Sequence, residues 1–269
     1  MADPIVDRVG ALLREAAATA ILPMFRRLDA ADVTEKAPGE LVTVADRRAE
    51  EILDAGLRRI LPDSEVVGEE GVAADPDVLD RLKGPGPVWL VDPVDGTANF
   101  AAGRQPFAVM VALREAGVTR SSWILDPVGD TLLVGRAGEG AYRDGVAVRL
   151  APGELEPAAL RGAAPTRFLP PDLRERILAG GRQLGELLPG LHCAGQEYAD
   201  IVAGRQHFAL FWRTLPWDHV PGTLLVEEAG GVVRRLDGSA YDPTDSRPGL
   251  LAAATEQIWD TVHAALFAS

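Results

Sequence analysis

The chain has 269 residues, 47% of them hydrophobic and 25% charged, with a formal net charge of -13. That length can build a sizeable core, and the balance is that of a globular protein rather than a disordered one. The acidic excess argues against a broad nucleic-acid footprint, which needs a basic face.

The single cysteine, Cys193, rules out an internal disulfide and favours a reducing, cytoplasmic compartment. It reads as a buried small hydrophobe. The start, Met1-Ala2-Asp3-Pro4, lacks the basic-then-apolar pattern of a signal peptide. No run is apolar for long enough to span a membrane, so no membrane partner is expected. Of the 27 basic side chains only Lys36 and Lys83 are lysines, which makes a lysine at 36 more notable.

Residues 5 to 28 carry Ile5, Val9, Leu12, Leu13, Ala16 and Ala20 at helical spacing, which predicts an amphipathic helix. Asp46 reads as the cap of a second helix with Ile52, Leu53, Leu57 and Ile60 inside, closed by Pro62. The stretch 71 to 87 is rich in Ala, Asp, Pro and Gly and reads as a loop. Val88 to Val91 then form an apolar run suited to a strand buried on both faces. Strands follow over Phe107 to Leu113, Trp123 to Leu125 and Thr131 to Val134, with a hairpin signal at Asp144-Gly145. An antiparallel or mixed sheet is expected to fill this first half.

The Pro- and Gly-bearing stretch 151 to 170 marks a boundary between halves at about 1–155 and 156–269. Beyond it, Pro171 to Leu188 reads as helix, and a short strand ends near Cys193. Glu197 to Gly204 reads as helix and His207 to Trp212 as strand. Asp218 to Ala229 reads as a helix capped by Asp218, Val232 to Leu236 and Leu250 to Ala254 as strands, and Thr255 to Phe267 as a closing helix. Periodicity alone gives an α/β or α+β protein.

One segment carries the chemistry: Val88-Trp89-Leu90-Val91-Asp92-Pro93-Val94-Asp95-Gly96-Thr97-Ala98-Asn99-Phe100. An apolar strand ends in a carboxylate, at the end of the strand where ligands collect in open α/β sheets. A second carboxylate follows three residues later, so Asp92 and Asp95 can share a site for hard cations. Gly96-Thr97 at a helix start offers N–H groups to an anion. The plain alternative is an Asp-Pro turn followed by a helix cap. Glu69, Glu70, Asp46 and Asp218 have plain alternatives too, as surface charges or caps.

Together with Gly68-Glu69-Glu70, Pro216-Trp217-Asp218, Glu228-Ala229-Gly230-Gly231, Lys36 and Leu41 to Asp46, this segment resembles the inositol monophosphatase superfamily of magnesium-dependent phosphatases over nearly the whole chain. The resemblance implies one layered αβαβα domain, of the inositol monophosphatase and fructose-1,6-bisphosphatase kind, with the site in the cleft between the halves. It implies two or three Mg2+ ions, the first held by Glu69, Asp92 and the Val94 carbonyl, and a second by Asp92, Asp95 and Asp218. It makes Thr97 and Asp46 the pair that activates water, supported by Glu70, and counts Glu69 and Asp95 among the catalytic carboxylates. It assigns phosphate to Gly96 and Thr97 and places Lys36 near it, where the alternative is a solvated loop lysine. Gln196, with Glu197 and Arg213, is a candidate substrate contact. A homodimer is expected.

The resemblance weakens at the wall that recognises the alcohol. Inositol-specific relatives carry a Gly-Ser-Ala-type segment where this chain has His192 to Tyr198, and a glutamate where it has Phe211. The expectation is therefore a phosphomonoesterase acting on a small phosphorylated metabolite. Inositol 1-phosphate, histidinol phosphate, sugar phosphates and 3′-phosphoadenosine 5′-phosphate stand as substrates. A non-catalytic regulatory module on the same fold is the alternative from another class.

Overall fold

A computed structural model describes residues 4–37, 39–151 and 156–267. Helix α1 (Pro4–Ala16) runs into one wide turn over Ala17–Ile21 and stops there. The helix expected to reach residue 28 is therefore shorter: Pro23 cannot continue it, and Phe25 turns back to stack on Phe100, with ring centroids 5.8 Å apart. A ribbon of β1 (Val33–Ala37) and β2 (Glu40–Thr43) leads into α2 (Val44–Ile60). Thr43, not Asp46, caps α2. Its Oγ1 accepts the Ala45 N–H at 3.1 Å, while Asp46 reaches back from the third helical position to the Thr43 N–H at 2.9 Å.

Seven strands form the first sheet: β3 (Glu65–Gly68), β4 (Val88–Asp95), β5 (Ala108–Glu115), β6 (Val118–Asp126), β7 (Thr131–Arg136), β8 (Gly140–Arg143) and β9 (Val146–Val148). Only β3 and β4 pair in parallel, so the sheet is mixed. The hairpin at Asp144-Gly145 forms, with positive φ at both residues. The stretch expected as a loop between β3 and β4 is instead helical. It holds α3 (Glu69–Ala74) and a 3₁₀ segment Pro76–Lys83, which Asp75 caps by accepting the Asp77 N–H at 3.1 Å. A short helix α4 (Thr97–Ala101) follows β4.

The second sheet orders β11 (Glu186–Leu188), β10 (Arg161–Ala163), β12 (Phe208–Phe211), β14 (Leu250–Ala253) and β13 (Val232–Arg235) side by side. Helices α5 (Pro171–Gly180), α6 (Ala194–Val202), α7 (Pro216–Glu228) and α8 (Glu256–Phe267) complete the chain. The helix expected over 171–188 ends at the Gly180-Gly181 pair, and β11 then joins β10 in parallel. No strand ends at Cys193. That residue instead precedes α6. Asp218 sits in the third position of α7, after Pro216, rather than at its cap. Of the boundary stretch 151–170, residues 152–155 lie outside the described residues, and β10 lies within it.

The layers follow from which faces are apolar. Leu13, Leu53 and Leu57 of α1 and α2 cover one face of the first sheet against Trp89, Val91 and Trp123. Met110 and Ile124 on its other face join α6, α7 and the second sheet through Tyr198, Leu225 and Phe208. α8 and α5 close the far side through Trp259, Val262 and Ile177. The order is α, β, α, β, α.

Candidate active site

Two features of the first sheet assemble the acidic residues. In the parallel pair, Gly68 lies opposite Val91. Glu69 and Asp92 are therefore neighbours at the carboxyl ends of adjacent strands. Residues three apart on a regular strand would face opposite ways. Here the pairing slips between Asp92, opposite Met110, and Asp95, opposite Ala108, so β4 holds one extra residue. This bulge re-aims Asp95 toward the side where Asp92 ends.

A cleft of about 240 Å³ results. It is lined by Lys36, Glu69, Asp92, Val94, Asp95, Gly96, Thr97 and Asp218, so residues distant in sequence meet there. Asp46 lies beneath the cleft, fully buried. Thr97 Oγ1 is 3.0 Å from Asp46 Oδ1 and 2.9 Å from the Val94 carbonyl oxygen. Gln196 is the exception among the expected contacts. It faces a different cavity, with Arg143 and Arg205, and its Nε2 donates to Asp200 at 2.6 Å. The next residue of α6, Glu197, does line the cleft, but its carboxylate is engaged by the Leu191 N–H at 2.6 Å and Gln206 Nε2 at 2.7 Å.

Lys36 is no solvated loop residue. Its Nζ donates to Glu69 Oε1 at 2.5 Å and to Glu70 Oε1 at 2.7 Å. Burial pulls its pKa down, but the two carboxylates more than offset that, and Lys36 ends above the ordinary lysine value.

The carboxylates repel one another in a dry place. Burial, then the charges of Glu69, Asp95 and Asp218, push Asp92 well above the usual carboxylate range. Burial, then Asp95 and Glu69, do the same to Asp218, despite its hydrogen bond with Asp92. Glu69 is pushed up to about 7 by burial, with Lys36 opposing. Asp46 rises to about 6, again by burial, with Thr43 and Thr97 opposing. Such a cluster gains stability from cations.

The donor set fits hard divalent ions: carboxylates and the Val94 carbonyl, all oxygen. Cys193 and His219 line the same cleft but are committed elsewhere. Cys193 Sγ donates to Asp95 Oδ2 at 3.1 Å. His219 Nδ1 pairs with the Tyr198 hydroxyl at 2.9 Å and Nε2 with the Arg213 carbonyl at 2.8 Å. Among the described residues no three acidic, His or Cys side chains already close on one ion-sized point. Lys36 holds Glu69, and backbone amides hold Asp95.

That hold on Asp95 joins β4 to the start of α6. Its carboxylate accepts the Ala194 N–H at 3.0 Å and the Gly195 N–H at 2.6 Å, which are orphan donors at the start of α6. Asn99 adds a second tie, donating to the Leu191 carbonyl at 2.8 Å.

Sequence reasoning missed several groups. Glu50 is pushed up to about 7 by burial and accepts the Glu70 and Gly71 N–H groups at 2.9 and 2.7 Å, which fixes the start of α3. Its signal was its place one turn after Asp46 on α2. A Cβ on Gly68 would lie 2.4 Å from the Glu50 carboxyl carbon, which explains the glycine before Glu69-Glu70. Arg167 and Phe168 also line the cleft, and nothing in the local sequence marks them. Phe211 is buried, yet it also lines the cleft beside Trp212.

Comparisons with known proteins place the chain in a family. The model of the inositol monophosphatase family matches residues 5–269. The Nus factor SuhB of Pseudomonas aeruginosa is 34% identical over 227 residues, covering 81% of each chain. The inositol-1-monophosphatase of Mesorhizobium japonicum is 33% identical over 249 residues, 87% of this chain and 85% of its own. Among solved structures, an IMPase of Thermotoga maritima superposes with a TM-score of 0.79 at 27% identity, covering 97% of this chain and 96% of that one. SuhB of Bartonella henselae gives 0.84 at 22% identity over 99% of this chain and 100% of that one, and shares the fold. The chain belongs to the inositol monophosphatase family.

Proposed function

We propose that the protein is a magnesium-dependent phosphomonoesterase that hydrolyses a small phosphorylated metabolite by direct attack of water. The observation that carries this reading is the Thr97–Asp46 contact of 3.0 Å at the floor of a cleft lined by Glu69, Asp92, Asp95 and Asp218. Two or three Mg2+ ions held by those carboxylates and the Val94 carbonyl would offset the ester's charge, acidify a water and stabilise the leaving oxygen.

The chain's own groups do the rest. First-turn amides of α4, at Gly96 and Thr97, hold the phosphate oxygens. Lys36, held against Glu69 and Glu70, puts a positive charge on the cleft wall that attracts the anionic ester. Thr97 Oγ1 takes a proton from the attacking water as its own hydroxyl proton passes to Asp46 Oδ1. The water oxygen bonds to phosphorus as the ester bond breaks, and the leaving alkoxide takes its proton from solvent. Asp46, raised to about 6, is ionised at neutral pH and still basic enough to accept it.

The same reading includes a homodimer, a cytoplasmic location and no nucleic-acid partner. Among the described residues no helix is long and apolar enough to cross a membrane. Phosphate release from a panel of phosphate esters, with and without MgCl2, tests the activity. Folded protein that releases none under either condition would refute it. A regulatory role on the same fold is the second reading, favoured by the Nus-factor name of the Pseudomonas relative. Rescue of a deletion phenotype by an Asp95→Asn protein that lacks turnover would support it.

A further inference from the structure

Helix α6 separates two cavities. Glu197 faces the acidic cleft, while Gln196 and Ala199 face a second cavity of about 220 Å³ between α6 and the first sheet. The floor of this cavity is apolar, with Ile124 and Leu133 from the sheet and Ala199 and Val202 from α6. Its volume lies below the range of about 300 to 1,000 Å³ that holds drug-sized ligands, so it suits a small one.

Strand pairing sets two opposite charges on the same wall. Ile124 pairs with Leu133 and Leu133 with Arg143, while Asp126 pairs with Thr131 one step along. Paired residues share a face, and all five line the cavity. Asp126 and Arg143 are two strands apart, about 10 Å across the sheet. Asp126 Oδ1 accepts the Val128 and Gly129 N–H groups at 3.0 and 3.1 Å. Its Oδ2 has no hydrogen-bond partner among the described residues. Gly129 keeps that oxygen uncovered, since a Cβ there would lie 2.6 Å from it. Arg143 has no carboxylate partner among the described residues. The remaining polar groups are committed: Arg205 Nε and Gln196 Nε2 both donate to Asp200 Oδ1, at 2.8 and 2.6 Å.

The cavity also backs onto the acidic cleft. Gly195 lines it, and the Gly195 N–H donates to Asp95 Oδ2 at 2.6 Å. Ala108 lines it as well and pairs with Asp95 across β4 and β5.

We propose that this cavity is a regulatory site for a free aliphatic α-amino acid, whose occupancy is felt at Asp95. Arg143 takes the carboxylate, Asp126 takes the ammonium, and the branched chain lies on Ile124, Leu133 and Val202. A simple anion would face the unpaired charge of Asp126, and a simple cation that of Arg143, so a zwitterion fits where either alone does not. Binding is independent of the phosphatase reading. The coupling rests on the cation site of that reading.

Calorimetric titration of the whole protein with L-leucine, L-isoleucine and L-valine, without added metal, tests the site. Each is compared with the acid that lacks its amine and the amine that lacks its acid; for leucine these are 4-methylpentanoate and 3-methylbutylamine. At least one amino acid is expected to bind saturably, about tenfold or more tightly than either of its halves. Asp126→Asn, which keeps Oδ1 for the turn, should reduce its affinity to that of the acid. Arg143→Gln should reduce it to that of the amine. No saturable binding of any of the three, halves that bind as tightly, or an affinity indifferent to both substitutions would overturn the proposal. Repeating the titration in MgCl2 tests the coupling. The amino-acid affinity should change about threefold or more, and the Mg2+ affinity by the same factor when the amino acid is present. An unchanged affinity beside measurable Mg2+ binding sinks the coupling, whereas absence of Mg2+ binding counts against the cation reading of the cleft.

Discussion

Thr97 Oγ1 and Asp46 Oδ1 lie 3.0 Å apart across 51 residues of sequence. Asp46 is held from its other oxygen by the Thr43 N–H at 2.9 Å and by the Thr43 hydroxyl. The cap of α2 therefore fixes the carboxylate that faces Thr97. Replacing Asp46 by Asn keeps the volume but removes the proton acceptor. Turnover is expected to drop roughly a hundred- to ten-thousand-fold. The melting temperature, read alongside phosphate release, should change far less. Near-normal turnover would remove Asp46 from the proton path.

The same group sets an acid limb. Asp46 is raised to about 6 by burial, and only its ionised form accepts a proton from Thr97. Activity at saturating MgCl2 should fall as pH drops through about 6, and more steeply if cations leave the protonating carboxylates. An activity profile flat from pH 5 to 8 would contradict this.

Asp95 ties β4 to α6 through two amides and the Cys193 thiol. Asp95→Asn turns an acceptor of three bonds into a group with one donor end facing N–H groups. A loss of about 1–3 kcal/mol in unfolding free energy is expected, together with a large loss of turnover. Denaturant titration measures the first. A variant as stable as the parent would mean that the cap contributes little to joining β4 to α6.

One buried and one half-buried group push stability in opposite directions with pH. His219 is lowered to about 4, chiefly by burial. Unfolded, it titrates near 6.5, so its contribution is complete above about 6.5 and is lost as pH falls toward 4, on the order of 3 kcal/mol. Glu50 is raised to about 7, so its contribution is complete below about 4.5 and is lost as pH rises through 7. Unfolding measured from pH 4 to 8 should show a smaller acid-side loss in His219→Gln and a smaller alkaline-side loss in Glu50→Gln. Identical pH slopes in parent and variants would show that neither group carries linkage.

Divalent ions should raise the melting temperature at neutral pH, because they offset the repulsion that raises Asp92, Asp218 and Glu69. Adding MgCl2, then chelator, checks this. The upward shift should shrink when Asp218 is replaced by Asn.

The local signals in the chain were enough for the element types that carry the site. The apolar run before Asp92 announced a buried strand, and β4 is buried throughout. The order of the acidic motifs along the chain is enough to identify the family. Local reading failed where partners decide. The break of α5 at Gly180-Gly181 and the strand Glu186–Leu188 depend on pairing with β10, which no local pattern reveals. Gln196 and Glu197 looked equivalent as neighbours, yet helix geometry sends them to different cavities.

Residue chemistry by itself determined which groups could bind cations and phosphate, because carboxylates, glycine turns and apolar strands keep those properties in any context. Tertiary structure alone decided which of them meet. The bulge that turns Asp95 beside Asp92, the register that sets Glu69 next to that pair, and the pairing that puts Arg143 on one face with Asp126 all arise from contacts between distant segments. Burial is likewise a property of the assembled molecule, and it is burial that drives the carboxylate pKa values upward.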